Sequence, residues 1–156
     1  MKKKRMLCAV MTLIFCAFFV SEENTTVSYS SSAYIDELDI SAERENSKKI
    51  FKHFGSQRPI EEVIPDVYTF NPTAAEGFAP EGSKILSVSR TENCILIDYK
   101  ENGMRTIVEY YKDGKIRKTV RKNDTIYMNF NDEEIVAWPL WEYHHRYGFT
   151  KEIRYT

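Results

Sequence analysis

Cysteine is nearly absent from the part of this chain that can fold, which excludes a disulfide-stapled scaffold. Of its three cysteines, Cys8 and Cys16 fall in an N-terminal apolar run. Cys94 is left without an intramolecular partner. Glycine and proline are sparse as well, six and five in 156 residues, so a collagen-like or low-complexity architecture is excluded. The sequence has no Gly-x-Ser-x-Gly, no His-Glu-x-x-His, no phosphate loop and no dinucleotide fingerprint. It therefore offers no recognisable catalytic apparatus and implies no cofactor.

A basic footprint is missing too. The formal net charge is −1, and without Lys2, Lys3, Lys4 and Arg5 there remain 18 basic residues against 23 acidic, a net of −5. Residues 22–83 carry 5 basic and 12 acidic side chains, whereas residues 84–156 carry 13 and 11. An acidic front followed by a near-neutral half disfavours nucleic acid as a partner. What the chain does have is apolar content, 42% hydrophobic and 13% aromatic, enough for one core and against wholesale disorder.

Residues 1–20 read as an export signal. Lys2-Lys3-Lys4-Arg5 precedes the uncharged run Met6–Val20, and Ser21-Glu22-Glu23-Asn24 then turns polar. At ~1.5 Å per residue that run spans about 22 Å, short of the ~30 Å hydrocarbon core, which favours a signal peptide over a spanning helix. No small-x-small pattern ends the run, so an uncleaved signal anchor is the alternative. Residues 21–33 form a flexible Ser/Thr-rich linker. Asn24-Thr25-Thr26 and Asn123-Asp124-Thr125 match the N-glycosylation acceptor. The rest, 34–156, is expected to be a single β-rich domain.

Ser41 to Phe54 reads as a short amphipathic helix. Ser41 is positioned to cap it, Glu43 and Glu45 stand in its first turn, and Lys48, Lys49, Lys52 and His53 stand toward its end. Ile50, Phe51 and Phe54 would dock that end. Pro59, Pro65, Pro72 and Pro80 then forbid long elements. They suggest a wrapping segment with a short helix near Pro59–Ile64 and an edge strand near Val67–Phe70.

From Lys84 to Phe130 the chain reads as antiparallel strands punctuated by Glu101-Asn102-Gly103, Lys112-Asp113-Gly114 and Lys122-Asn123-Asp124. A two-residue turn at Asn102-Gly103 pairs Ile97 with Val108, Ile95 with Tyr110 and Tyr99 with Thr106. A three-residue turn with Gly114 in the left-handed position sets Tyr110 opposite Ile116 and Val120 on the same side. A three-residue loop at Lys122-Asn123-Asp124 would bring Ile126, Met128 and Phe130 to that side as well. The opposite face is mixed, with Glu109 facing Arg117 as a cross-strand ion pair. With further strands at Lys84–Arg90 and Ile135–Trp138, the expected fold is mainly β (α+β). It is a five- to six-stranded antiparallel meander sheet with one short N-terminal amphipathic helix packed on it. Glu109-Tyr110-Tyr111-Lys112-Asp113-Gly114-Lys115-Ile116 is similar to one unit of the β-hairpin repeats of MORN-like surface proteins. The likeness implies a hairpin there and does not recur.

Candidate binding residues fall into two groups. The basic strand offers Lys115, Arg117 and Arg121, beside Lys118 and Lys122, to an anionic polymer or lipid headgroup. Alternatively, those charges solvate a strand and deter edge-to-edge pairing. The tail offers Trp138, Trp141, Tyr143 and Tyr147 as a stacking platform for sugars or an anchor for a protein, or else as the aromatic closure of a small core. His144-His145 diverge and lack further ligands, so no metal is expected. Cys94 opens the apolar run Cys94-Ile95-Leu96-Ile97 and reads as a small buried hydrophobe.

The function expected is an exported, non-enzymatic binding or assembly module at the outer face of a membrane or cell envelope, extracytoplasmic and secreted or anchored. Its partner would be a protein, a glycan or an anionic envelope component, with the membrane touched only through an uncleaved N-terminal segment. One alternative is a small secreted hydrolase with spatially assembled carboxylates or a Cys94–His144 or Cys94–His145 pair. Another is a secreted inhibitor or immunity-type protein presenting Asp36, Glu37, Asp39, Glu43 and Glu45. The leader is checked by the N-terminus of the exported protein. Mass spectrometry is expected to place it near Ser21, and a full-length mass would show an anchor instead.

Overall fold

The computed structural model describes residues 36–140. The leader, the linker and the aromatic tail from Trp141 onward lie outside the described residues. One helix, α1 (Ser41–Ser56), precedes eight strands: β1 (Glu61–Ile64), β2 (Val67–Phe70), β3 (Lys84–Arg90), β4 (Cys94–Glu101), β5 (Met104–Tyr111), β6 (Ile116–Lys122), β7 (Thr125–Phe130) and β8 (Glu134–Pro139). They form a single antiparallel sheet in chain order. The β-rich meander with one helix is as expected, but the strand count is eight rather than five or six.

The additional strands come from the proline-containing segment. The stretch near Pro59–Ile64 is not a helix: Glu61–Ile64 pairs with β2 and makes β1 the edge. Pro59 and Pro65 flank this strand instead of interrupting it, so neither removes a ladder hydrogen bond. Asp66 turns the chain at φ 67, its N–H held by Glu62 Oε1 at 2.8 Å.

Turn length assigns the faces. Asn102 (φ 49) and Gly103 (φ 78) make the two-residue turn, and Ile97↔Val108, Ile95↔Tyr110 and Tyr99↔Thr106 pair as expected. Gly114 takes φ 90 and donates its N–H to the Tyr111 carbonyl, setting Tyr110 opposite Ile116. The next turn differs. Lys122 pairs directly with Thr125, so the loop is Asn123-Asp124, two residues rather than three. Asn123 reaches φ 55, a conformation that asparagine tolerates much as glycine does. The parity flips, and Ile126, Met128 and Phe130 lie on the second face, opposite to expectation. Tyr127 and Asn129 take the first-face places.

That first face holds the core. Val88, Ile95, Ile97, Tyr99, Val108, Tyr110 and Ile116 are buried there against Ile50 and Phe54 of α1. Each such aliphatic side chain contributes roughly 1.5–3 kcal/mol. Ser41 does not cap the helix. Asp39 Oδ1 takes the Ser41 N–H at 3.2 Å and its hydroxyl at 2.7 Å. At the other end, His53 Nε2 meets the Ala74 carbonyl at 2.7 Å, and Arg90 Nη1 donates to the Phe54 carbonyl at 2.6 Å. That places a cation at the helix C-terminus.

Two polar side chains of the first face fasten the helix end of the structure. Lys118, between Ile116 and Val120, donates to Glu43 Oε1 and to the Asp39 carbonyl, both at 2.8 Å. Buried Asn129 donates to the Leu38 carbonyl at 2.8 Å and to Asp132 Oδ1 at 2.7 Å. Glu43 is only 7% exposed, so losing its lysine would strand a charge in the interior. Lys118→Ala is expected to lower unfolding free energy by about 3–5 kcal/mol, and Lys118→Met with Glu43→Leu to recover most of it. Urea denaturation of the single and double variants measures both.

Candidate functional site

Among the described residues, α1 lies against the first face; on the second, Asp98, Ile107, Glu109, Thr119, Ile126 and Met128 are also buried, and its exposed charges stand toward the rim. Cross-strand pairing arranges its side chains in rows that run perpendicular to the strands. One row reads Ser89, Leu96, Glu109, Arg117, Phe130, Glu134. The next reads Ser87, Asp98, Ile107, Thr119, Met128, Val136. The third, along one rim of the sheet, reads Lys84, Lys100, Arg105, Arg121, Ile126, Trp138.

The third row is the unusual one. Lys84↔Lys100, Lys100↔Arg105 and Arg105↔Arg121 are direct cross-strand partners, so four adjacent strands each contribute a cation at the same level. Like charges placed directly opposite destabilise a sheet. Only Arg105 is neutralised: its Nε and Nη2 donate to Asp98 at 3.0 and 2.5 Å. Among the described residues, Lys84, Lys100 and Arg121 carry no ion pair, and all three are exposed. The Asp98 fork uses one edge of the Arg105 guanidinium and leaves its other N–H groups to donate elsewhere.

The expected binding residues are dispersed by the fold. Arg121 belongs to this row, and Trp138 stands half-buried at its end, two strands beyond. Arg117 is engaged by both oxygens of Glu109, the ion pair expected from sequence, with its guanidinium 5.9 Å from the Tyr111 ring. Lys115 lies over Phe130 at 5.6 Å and 4.0 Å from Glu133. Lys118 points the other way, into the core. Trp141, Tyr143, Tyr147, His144 and His145 lie outside the described residues. Lys84, Lys100 and Arg105 were missed because the signal for them is register, not local composition.

The acids offer less. Asp98 and Glu109, buried carboxylates of this face, are each committed to an arginine. Glu43 is buried against Lys118 and so does not join an exposed acidic cluster, while Asp39 is exposed and accepts from Ser41 at the start of α1. No group of three His, Cys, Asp or Glu residues among the described residues is placed to hold a metal. On the first-face side, a groove of about 570 Å³ is lined by Phe51, Asp66, Tyr68, Arg90, Glu92 and Lys112 among others. Its charges are mixed and converge on no single point.

The chain matches no protein-family model, no curated protein and no solved structure.

Asp98 couples the site to pH. Burial raises its pKa, and the Arg105 hydrogen bond and charge oppose that rise. A carboxyl whose folded pKa lies above its unfolded one stabilises the fold most when protonated. Its contribution is therefore complete below the unfolded value of about 3.9 and is lost as pH rises through the folded value. Asp98→Asn is expected to remove this decline, so that variant and wild-type urea midpoints diverge as pH rises from about 4 toward neutral. Parallel curves over that window would show that Asp98 ionises as it does in the unfolded chain.

Proposed function

We propose that the protein is an exported binding module, acting at the outer face of a membrane or cell envelope. It engages an anionic envelope component through the second face of its sheet. The observation that carries this reading is the row Lys84–Lys100–Arg105–Arg121, in which three exposed cations form no ion pair among the described residues. Clustered like charge on a chain that is acidic overall is an electrostatic cost in the free protein, and an anionic partner relieves it. The N-terminal leader supplies the extracytoplasmic setting. Binding, rather than catalysis, fits a face whose buried carboxylates are occupied by arginines.

The reading is tested by retention of the full chain on dextran-sulfate resin against neutral dextran. The wild type is expected to bind the anionic resin and to elute only with added salt. Lys100→Glu with Arg121→Glu is expected to elute far earlier. Lys48→Glu with Lys49→Glu, the same charge change on the exposed side of α1, is expected to leave retention close to wild type. Equal losses in the two variants would mean that net charge, not the row, governs binding.

A further inference from the structure

We infer that the row is a track for an extended acidic polysaccharide with one carboxylate per sugar ring, a polyuronate-like glycan. This rests on the reading of the second face as an anion-binding surface and names its ligand class.

The geometry of the row carries the inference. Its cations sit on successive strands, and neighbouring strands lie ~4.8 Å apart, so positive charge recurs at that interval in a line across the sheet. A uronate chain places one carboxylate per pyranose and advances by about one strand spacing per ring. A chain laid across the strands therefore runs along Lys84, Lys100, Arg105 and Arg121 with its carboxylates within reach of their long side chains. Arg105 is held in place by the Asp98 fork while keeping N–H groups for a second carboxylate.

The far end of the row supports a sugar rather than a phosphate chain or a bilayer. Beyond Arg121 it passes over buried Ile126 to half-buried Trp138. A pyranose has an apolar C–H face as well as its acid, and an indole can receive that face. A bilayer would instead reward exposed apolar side chains beside the cations. Yet among the described residues the most exposed large hydrophobics, Ile60, Val63 and Ile64, stand on or next to β1, which contributes nothing to the row, and Leu86 of β3, the least exposed of the four, is the one beside it. Nucleic acid fits poorly with a chain that is acidic away from this rim.

The test is calorimetric titration of the full chain, at low salt, with galacturonate oligomers of increasing length. Affinity is expected to climb with length until each of the four cations has a ring, then to flatten. Methyl-esterified oligomers of equal length are expected not to bind. Lys100→Gln with Arg121→Gln, checked for intact structure by circular dichroism, is expected to weaken binding about tenfold or more, a loss of 1.4 kcal/mol per decade. Trp138→Leu is expected to weaken the longest oligomers and spare the shortest. Binding to phosphatidylglycerol vesicles or polyphosphate, but not to the oligomers, would overturn the glycan assignment and leave the anion-binding reading standing. Failure of all three probes, together with unchanged dextran-sulfate retention in the Lys100/Arg121 variants, would overturn both.

Discussion

Everything in this fold depends on the parity of its hairpin turns. Successive residues of a strand point to opposite faces, so one residue more or less in a turn moves every later side chain to the other side. Asn102-Gly103, Lys112-Asp113-Gly114 and Asn123-Asp124 therefore decide which residues meet α1 and which meet the second face. Gly114 at φ 90 shows the leverage of a single position. A residue that resisted the left-handed region there would put Arg117 and Arg121 against the core in place of Ile116 and Val120.

The same parity explains how charge is shared between the faces. β6 sets Arg117 and Lys118 side by side, so the two-residue period sends Arg117 and Arg121 to one side and Lys118 to the other. Alone among apolar neighbours, Lys118 would be costly, but Glu43 and the Asp39 carbonyl lie above it. The first turn of α1 is thereby tied to the middle of the sheet, while Ile50 and Phe54 dock its last turns by apolar burial. One helix is held at one end by charge and at the other by volume, which fixes its direction as well as its position.

Most of the sheet was legible because glycine marks two of its turns and aliphatic alternation marks its strands. Where the reading failed, the signal was missing for a physical reason. Asn123-Asp124 has no glycine, and nothing in its composition separates a two-residue turn from a three-residue loop. Only the tolerance of Asn123 for positive φ decides it. The helix expected near Pro59–Ile64 was a strand because prolines just outside the paired residues Glu61 to Ile64 can bracket an edge strand as readily as they can start a helix. Glu43 looked like a first-turn acid serving the helix dipole, and its burial depends on Lys118, 75 positions away in the chain. The cation row was invisible for a similar reason. Lys84, Lys100, Arg105 and Arg121 are unremarkable singly and become a row only when three registers are known together.

Edge protection does not account for that row. Charges on a strand deter unwanted pairing when the strand has an open side. β3, β4, β5 and β6 are each hydrogen-bonded on both sides, so their cations guard nothing. At β1, the edge of the sheet, the protective features are of another kind: a short strand, flanking prolines, and Glu61 and Glu62 beside the exposed Val63 and Ile64. Solubility does not require the row either, since alternating signs would keep the rim hydrated without repulsion between neighbours, as Glu109 and Arg117 show two levels away. A line of one sign across interior strands is therefore the arrangement with the least internal benefit to the fold.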